Sequence, residues 1–159
     1  MAMHTWFECK IRHEKTMENG MIQKVTESYL VDALSFTEAE ARIIEEVTPF
    51  ITGEFTVSDI KRANYSELFV SDEEAADRWF KCRLFFITLD EKSGAEKKAI
   101  PFVLVQAADL RDAVRKLDEG MKGTMADYQI GMVSETPLMD VYPYSAEPND
   151  KPEFDPSKA

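Results

Sequence analysis

The sequence predicts an α+β protein built as a tandem pseudo-repeat of a ββαβ(β) unit, with helices packed on one face of antiparallel sheet. Residues 6–11 (WFECKI) match residues 79–84 (WFKCRL), and the two Trp and two Cys of the chain all lie in this motif. The hairpin-turn dipeptides Asn19-Gly20 and Ser93-Gly94 lie at a similar offset. An amphipathic helical pattern follows each hairpin.

The first unit is predicted over residues 4–70. Residues 5–13 alternate between polar and apolar side chains and residues 24–33 are rich in β-formers, which indicates a hairpin. Ser35 with Glu38 three residues later is a capping box that starts a helix. The apolar face of that helix is predicted to hold Phe36, Ala39, Ile43 and Val47. Strands near 54–60 and 65–70 complete the unit.

A linker is predicted at 71–78, where the capping-box pattern of residues 71–74 (SDEE) favours a short helix over 72–78. The second unit, 79–143, repeats the first. Strands are predicted over 79–89 and 98–107, and near 127–134 and 138–142. Asp109 caps the intervening helix, whose apolar face comprises Leu110, Ala113, Val114, Leu117 and Met121. The Pro-rich acidic tail, 144–159, is predicted to be flexible.

Strand alternation separates two faces of each predicted sheet. In the first strand one face comprises Phe7, Cys9 and Ile11 and the other comprises Trp6, Glu8, Lys10 and Arg12. In the equivalent strand the first face comprises Phe80, Cys82, Leu84 and Phe86. The end of this second strand is apolar on both faces, which predicts a central position or a contact between the two repeats.

The composition is that of an acidic folded protein. The 159 residues include 19 Lys and Arg against 30 Asp and Glu, a net charge of −11, and 44% are apolar. No apolar run approaches the roughly 18 residues that span a bilayer, so no membrane association is expected. The start lacks a secretory pattern, which makes a cytoplasmic location the expectation. Acidic charge in both halves disfavours binding to duplex DNA.

The reactive side chains form no recognisable catalytic or metal-binding motif. Cys9 and Cys82 are predicted to be small buried hydrophobes, with a redox pair as the alternative. His4 and His13 would lie about 30 Å apart on one extended strand, too far to share a metal. The glycines form no phosphate-binding loop and no nucleophile elbow occurs. We therefore predict no catalytic residue, no metal and no cofactor.

One set of residues is predicted as a candidate ligand or partner face. It lies on the outward sides of the two repeated strands and consists of Trp6, Lys10, Arg12, Trp79, Lys81 and Arg83. Rings that stack on bases and cations that contact the backbone are typical of single-stranded nucleic-acid binding. The alternatives are that the Trp side chains cover the core edge or an interface between repeats, or that the face binds a protein.

The chain resembles an uncharacterised family of domains of unknown function from Bacteroidetes and the phages and mobile elements of those hosts. The resemblance is carried by residues 5–11 (TWFECKI), 24–33 (KVTESYLVDA) and 35–40 (SFTEAE), and by the run 55–68 and the second Trp-Phe-Lys-Cys-Arg segment. It covers about residues 4–143. It implies a small bacterial cytosolic protein tied to mobile-element biology and supplies no site residues.

These observations predict a binding or adaptor module without catalytic activity, with an unidentified protein as its partner. The first alternative is an accessory protein that binds single-stranded nucleic acid through the Trp, Lys and Arg face. The second is an enzyme whose acidic residues meet in a cleft between the repeats. The oligomeric state stays open.

Overall fold

The computed structural model describes residues 5–123 and 127–143. Within them lie two helices and nine strands, which confirms the α+β class. In chain order the elements are β1 (Trp6–Thr16), β2 (Ile22–Asp32), α1 (Phe36–Val47), β3 (Phe55–Ala63), β4 (Glu67–Phe69), β5 (Arg78–Leu89), β6 (Glu96–Ala99), β7 (Phe102–Ala107), α2 (Leu110–Gly120), β8 (Tyr128–Glu135) and β9 (Leu138–Tyr142).

The strands form two sheets. The first has the order β3-β1-β2-β9. In the second, β4, β7, β5 and β6 follow one another, and β8 pairs with β5. The predicted strand 98–107 is divided into β6 and β7, which pair with successive parts of β5. Pro101 lies at the division, because proline has no N–H to donate to the ladder, while its carbonyl accepts from the Leu84 amide at 3.0 Å.

Both predicted hairpin turns are present. β1 and β2 pair antiparallel from Trp6↔Asp32 to Thr16↔Ile22. Gly20 has a φ of 81° and Gly94 a φ of 70°, so each dipeptide supplies the left-handed backbone that its turn needs. The Gly20 amide donates to the Met17 carbonyl at 2.9 Å and the Gly94 amide to the Asp90 carbonyl at 2.7 Å.

The chain divides into two compact units. Within the described residues, the first holds 5–62 with 141–143 and the second holds 63–123 with 127–140. These boundaries differ from the predicted 4–70 and 79–143, because β4 belongs to the second unit and the end of β9 to the first. β4 pairs in parallel with β7, from Glu67↔Val103 to Phe69↔Val105. A strand of three residues carries too little pattern to specify its partner.

Each unit has its own hydrophobic core between sheet and helix. In the first, Phe7, Cys9 and Ile11 are fully buried against α1. The core positions of α1 are Ala39, Ile43 and Val47, as predicted, whereas Phe36 remains 48% exposed. In the second, the predicted inward face packs with α2 and buries Phe80, Cys82, Leu84, Ala113 and Leu117.

Both helices begin with the predicted caps. The Glu38 amide donates to Ser35 Oγ at 3.1 Å, and the Asp112 amide donates to Asp109 Oδ1 at 2.8 Å. In each case the acidic side chain three residues after the cap accepts a hydrogen bond from the amide of the residue before the cap. Glu38 Oε1 accepts from the Leu34 amide at 3.3 Å and Asp112 Oδ2 from the Ala108 amide at 2.9 Å.

The linking helix predicted over 72–78 is wrong. Residues 71–77 contain only a turn at 74–75, and β5 already begins at Arg78. The capping interaction does form locally, since the Glu73 amide donates to Ser71 Oγ at 3.2 Å. However, the Ser71 amide donates to Gln106 Oε1 at 2.9 Å, which ties the segment to β7 and leaves too few residues for a helix.

In the described part of the chain, neither helix is long and apolar enough to cross a membrane. The tail predicted to be flexible, 144–159, lies outside the described residues.

Candidate binding surface

The six residues of the predicted face differ in exposure. Both Trp6 and Trp79 are buried, with 4% of each side chain exposed. Lys10, Lys81 and Arg83 are half-buried, and Arg12 alone of the six is exposed. A base can stack only on an accessible ring, so this burial favours the alternative in which the two Trp side chains have a structural role.

The cations of the second strand contact aromatic rings of the chain itself. The Lys81 ammonium lies 4.5 Å from the centroid of the Phe102 ring. The Arg83 guanidinium lies 5.5 Å from the centroid of the Phe85 ring. Such cation–π contacts hold both charges against the sheet, so neither cation projects freely from it.

A groove of about 470 Å³ lies beside Arg12 in the first unit. Its charged lining contains the cations Arg12 and Lys24 and the carboxylates Glu14 and Glu54. Lys24 lies beside Glu14 because the hairpin register pairs these two residues. This pairing could have been predicted from the position of the turn in the sequence. Two charges of each sign make this groove electrostatically mixed, which does not amount to the basic stripe that a nucleic-acid backbone needs.

A second cavity, of about 450 Å³, lies in the second unit and includes Lys116 in its lining. The Lys116 ammonium donates to Ser71 Oγ at 3.1 Å and to Glu73 Oε2 at 2.9 Å, and Asp112 Oδ2 is 3.0 Å away. The hydrogen bond from the Ala108 amide, with those from Lys116 and Arg115, lowers the pKa of Asp112 to about 2. The chain's own acids therefore neutralise this cation.

The two cysteines are unsuited to nucleophilic chemistry. Both thiols are free and fully buried. Burial raises the pKa of Cys9 to about 12, with a smaller contribution from Glu8 and Asp59, and burial raises the pKa of Cys82 to about 11. The reactive thiolate is thus disfavoured at neutral pH. Among residues 5–123 and 127–143, no three His, Cys, Asp or Glu side chains group closely enough to hold a metal.

Four large apolar side chains on α1 or next to its ends are exposed, although Phe36 also packs edge-on against the buried Phe7 ring, with 4.9 Å between the two ring centroids. Exposed fractions are 79% for Leu34, 48% for Phe36, 40% for Ile44 and 76% for Phe50. Leu34 precedes the helix and Phe50 follows it. Phe50 lies in a turn in which its amide donates a hydrogen bond to the Val47 carbonyl at 2.9 Å. We name these four residues, with the exposed acids Glu40 and Glu45, the α1 surface.

The α1 surface was not predicted, although one signal for it exists in the sequence. Ile43 and Ile44 are adjacent, and a helix turns by 100° per residue, so only one of them can face the core. Ile43 is fully buried and Ile44 is left outside. An apolar residue at an outward helical position belongs to none of the charged or aromatic motifs that are typical of binding sites.

Comparison with curated proteins gives no match. Residues 5–144 match the model of the family described as "Domain of unknown function (DUF4494)", and the chain belongs to that family.

Proposed function

We propose that the chain is a binding or adaptor module without catalytic activity, and that it docks a partner protein on the α1 surface. The observation that carries the proposal is the exposure of Leu34, Phe36, Ile44 and Phe50 around a single helix. Scattered apolar residues are normal on protein surfaces, but several around one element are typical of interaction sites.

The second helix supports a functional rather than a structural origin for this surface. At the sequence offset of 74, Ile44 corresponds to Asp118 and Leu34 to Ala108, whereas Phe36 corresponds to Leu110, which is likewise exposed at 51%. Asp118 is polar and accepts a hydrogen bond from the Tyr128 hydroxyl at 2.9 Å. A helix in the same place between a hairpin and the following strand can therefore fold with a polar residue where α1 exposes an isoleucine.

We propose further that the two units are copies of one ββαβ(β) motif, in which α1 and α2 correspond. Their element order supports it, since the first sheet reads β3-β1-β2-β9 and β8, β5, β7 and β4 are neighbours in the second. In this scheme β4 and β9 are corresponding last strands that have exchanged sheets. Capping boxes at Ser35 and Asp109 support the same correspondence.

The alternatives receive less support from the geometry. Single-stranded nucleic-acid binding requires accessible rings, and both indoles are 4% exposed. The enzyme alternative rests on the acidic residues alone, because burial holds the thiols protonated and Lys116 is engaged by Ser71 and Glu73.

Site-specific photocrosslinking in cells tests the proposal. A benzophenone amino acid would replace Phe50 or Ile44 in the full chain, and Arg111 or Asp118 on the exposed side of α2 in the control. We expect a discrete adduct of one mass from positions 44 and 50 and none from positions 111 and 118. No adduct from the α1 positions, or the same adducts from both helices, would contradict docking on the α1 surface.

A further inference from the structure

We infer that the segment docked on the α1 surface is cationic and amphipathic, a stretch of the partner in which Lys or Arg accompanies aliphatic residues at helical spacing. The inference rests on the proposed function and adds the chemistry of the partner. It is carried by the charges placed around the exposed apolar residues.

The acids of the α1 surface alternate with its apolar side chains. Phe36, Glu40 and Ile44 follow one another at i, i+4 and i+8 along α1, so a carboxylate lies between two exposed hydrophobic groups. Glu45 follows directly after Ile44 and is also exposed. A partner that covers the apolar groups must therefore approach these carboxylates, which favours a partner with cations beside its own apolar side chains.

The single base of this segment does not neutralise these acids. Residues 34–54 contain five acids and only Arg42 as a base. Arg42 donates to the carbonyls of Asp32 and Pro143, and its guanidinium lies 3.9 Å from Glu46. Glu38 caps the helix through the Leu34 amide. Glu40 and Glu45 are the exposed acids of α1 that these interactions leave to a partner.

The second helix lacks this charge pattern. At the offset of 74, residues 34–54 correspond to 108–128, which contain five acids and four bases. On α2, Arg115 lies 2.5 Å from Asp112 and 3.1 Å from Glu119, which offsets their charge locally. On α1, by contrast, the exposed acids Glu40 and Glu45 flank Ile44, while the Arg62 guanidinium lies 5.9 Å from the centroid of the Phe36 ring. Negative charge thus coincides with the exposed Ile44, and this coincidence argues for a binding role beyond the solubility that a net charge of −11 provides.

The length of the surface fits a helical segment. α1 has 12 residues, about 18 Å at 1.5 Å per residue, and Leu34 and Phe50 extend the apolar contacts beyond both ends. An amphipathic helix of about three to four turns presents apolar groups at i, i+3, i+4 and i+7 over the same length.

The test uses a defined probe, a fluorescein-labelled peptide of 14 Leu and Lys residues with Leu at amphipathic helical spacing. A scrambled peptide of the same composition and a Leu/Glu peptide of the same pattern are its controls. Binding to the full chain is measured by anisotropy between 50 and 300 mM salt. We expect the Leu/Lys peptide to bind, its affinity to fall with salt, and both controls to bind at least tenfold more weakly.

Three variants locate the binding. The E40Q/E45Q variant should weaken binding by about fivefold at low salt, as expected for two surface charges. The I44S/F50S variant should weaken it by more than tenfold. The matched control D118N/E119Q removes two charges from α2 and should change it less than twofold. Circular dichroism checks that each variant is folded. If I44S/F50S does not fold, the inference is tested by comparing E40Q/E45Q with D118N/E119Q.

Equal affinity for the Leu/Glu or scrambled peptide, or equal effects of E40Q/E45Q and D118N/E119Q, would overturn the inference. Failure of the Leu/Lys peptide to bind would also overturn the inference. If photocrosslinking nevertheless gives adducts from positions 44 and 50, the proposed function stands. Absence of those adducts would instead remove the proposed function, whatever the peptide does.

Discussion

The Arg42 guanidinium donates to the Pro143 carbonyl, 3.2 Å away and 101 residues further along the chain. Arg42 lies on α1, and Pro143 directly follows β9. In the second unit Lys116 of α2 makes a comparable contact, since its ammonium donates to Ser71 and Glu73 just after β4. In each unit a cationic side chain of the helix thus donates hydrogen bonds to residues that follow a short strand distant in sequence.

Replacing Arg42 with alanine is expected to lower the free energy of unfolding by about 2 kcal/mol. The side chain is largely buried and donates to two backbone carbonyls, which would lose a charged donor. Urea unfolding of the full chain measures the loss. The control is Arg111→Ala on the exposed side of α2, which should change stability by less than about 0.5 kcal/mol. Equal effects of the two substitutions would show that the contact to Pro143 contributes nothing.

The intrinsic fluorescence is expected to report two buried indoles. With 4% of each Trp exposed, the emission maximum should lie at short wavelength and iodide should quench it weakly until the chain is unfolded. Short single-stranded oligonucleotides should leave the emission unchanged at low salt. Quenching that disappears on adding salt would revive nucleic-acid binding, and the W6F and W79F variants would then identify the ring responsible.

Stability is expected to fall above about pH 9 because of the cysteines. The folded thiols have raised pKa values of about 12 and about 11, whereas unfolded thiols ionise near pH 8.5. The folded state thus binds the thiol protons more tightly than the unfolded state does. The stability that this difference provides is complete below the unfolded pKa and is lost as the pH rises towards the folded pKa. Between pH 9.5 and 10.5 the titration of each thiol should lower the free energy of unfolding by about 1.4 kcal/mol per pH unit.

Urea unfolding at these pH values, compared between the natural chain and the C9A/C82A variant, isolates this effect from the titration of Tyr and Lys. The variant should be less stable at neutral pH, because it loses buried contacts, but its stability should fall less steeply with pH. Identical slopes for the two proteins would contradict the raised thiol pKa values.

Gly131→Ala is expected to destabilise the second unit by about 1–3 kcal/mol through overpacking. A Cβ at this position of β8 would overlap the Phe85 ring, in particular Cε2. The pairing of β5 with β8 steps from Arg83↔Met132 to Leu84↔Ile130, so Gly131 lies in a bulge directly beside that ring. Thermal unfolding measures the loss. The same substitution in an F85A background should cost much less, and an equal cost in both backgrounds would rule out the steric cause.

Much of the local structure was predictable from short-range patterns. The helix α1 occupies Phe36–Val47 where Ser35, Glu38 and the apolar spacing placed it, because capping and amphipathicity involve residues within a few positions of one another. The inward face of Phe7, Cys9 and Ile11 followed from alternation alone. The linker shows the limit of such patterns, because the cap at Ser71 forms although no helix follows it.

The candidate binding surface was less predictable than the fold. Alternation predicts Trp6 and Trp79 on the faces opposite Phe7 and Phe80, but it could not show that both Trp side chains are buried. The exposure of Phe50 likewise depends on where the chain goes after α1. Solvent accessibility is set by the neighbours that tertiary packing supplies, and these neighbours are far away in sequence.

The sequence by itself determined the two hairpins, the helices α1 and α2 with their caps, and which side of β1 and β5 meets a helix, because these depend on interactions between residues close along the chain. Tertiary structure decided that β4 joins β7, that β9 joins β2, and that α1 exposes Ile44 and Phe50. A strand of three to five residues can satisfy its hydrogen bonds at any free sheet edge, so only the packing of the whole chain selects the edge.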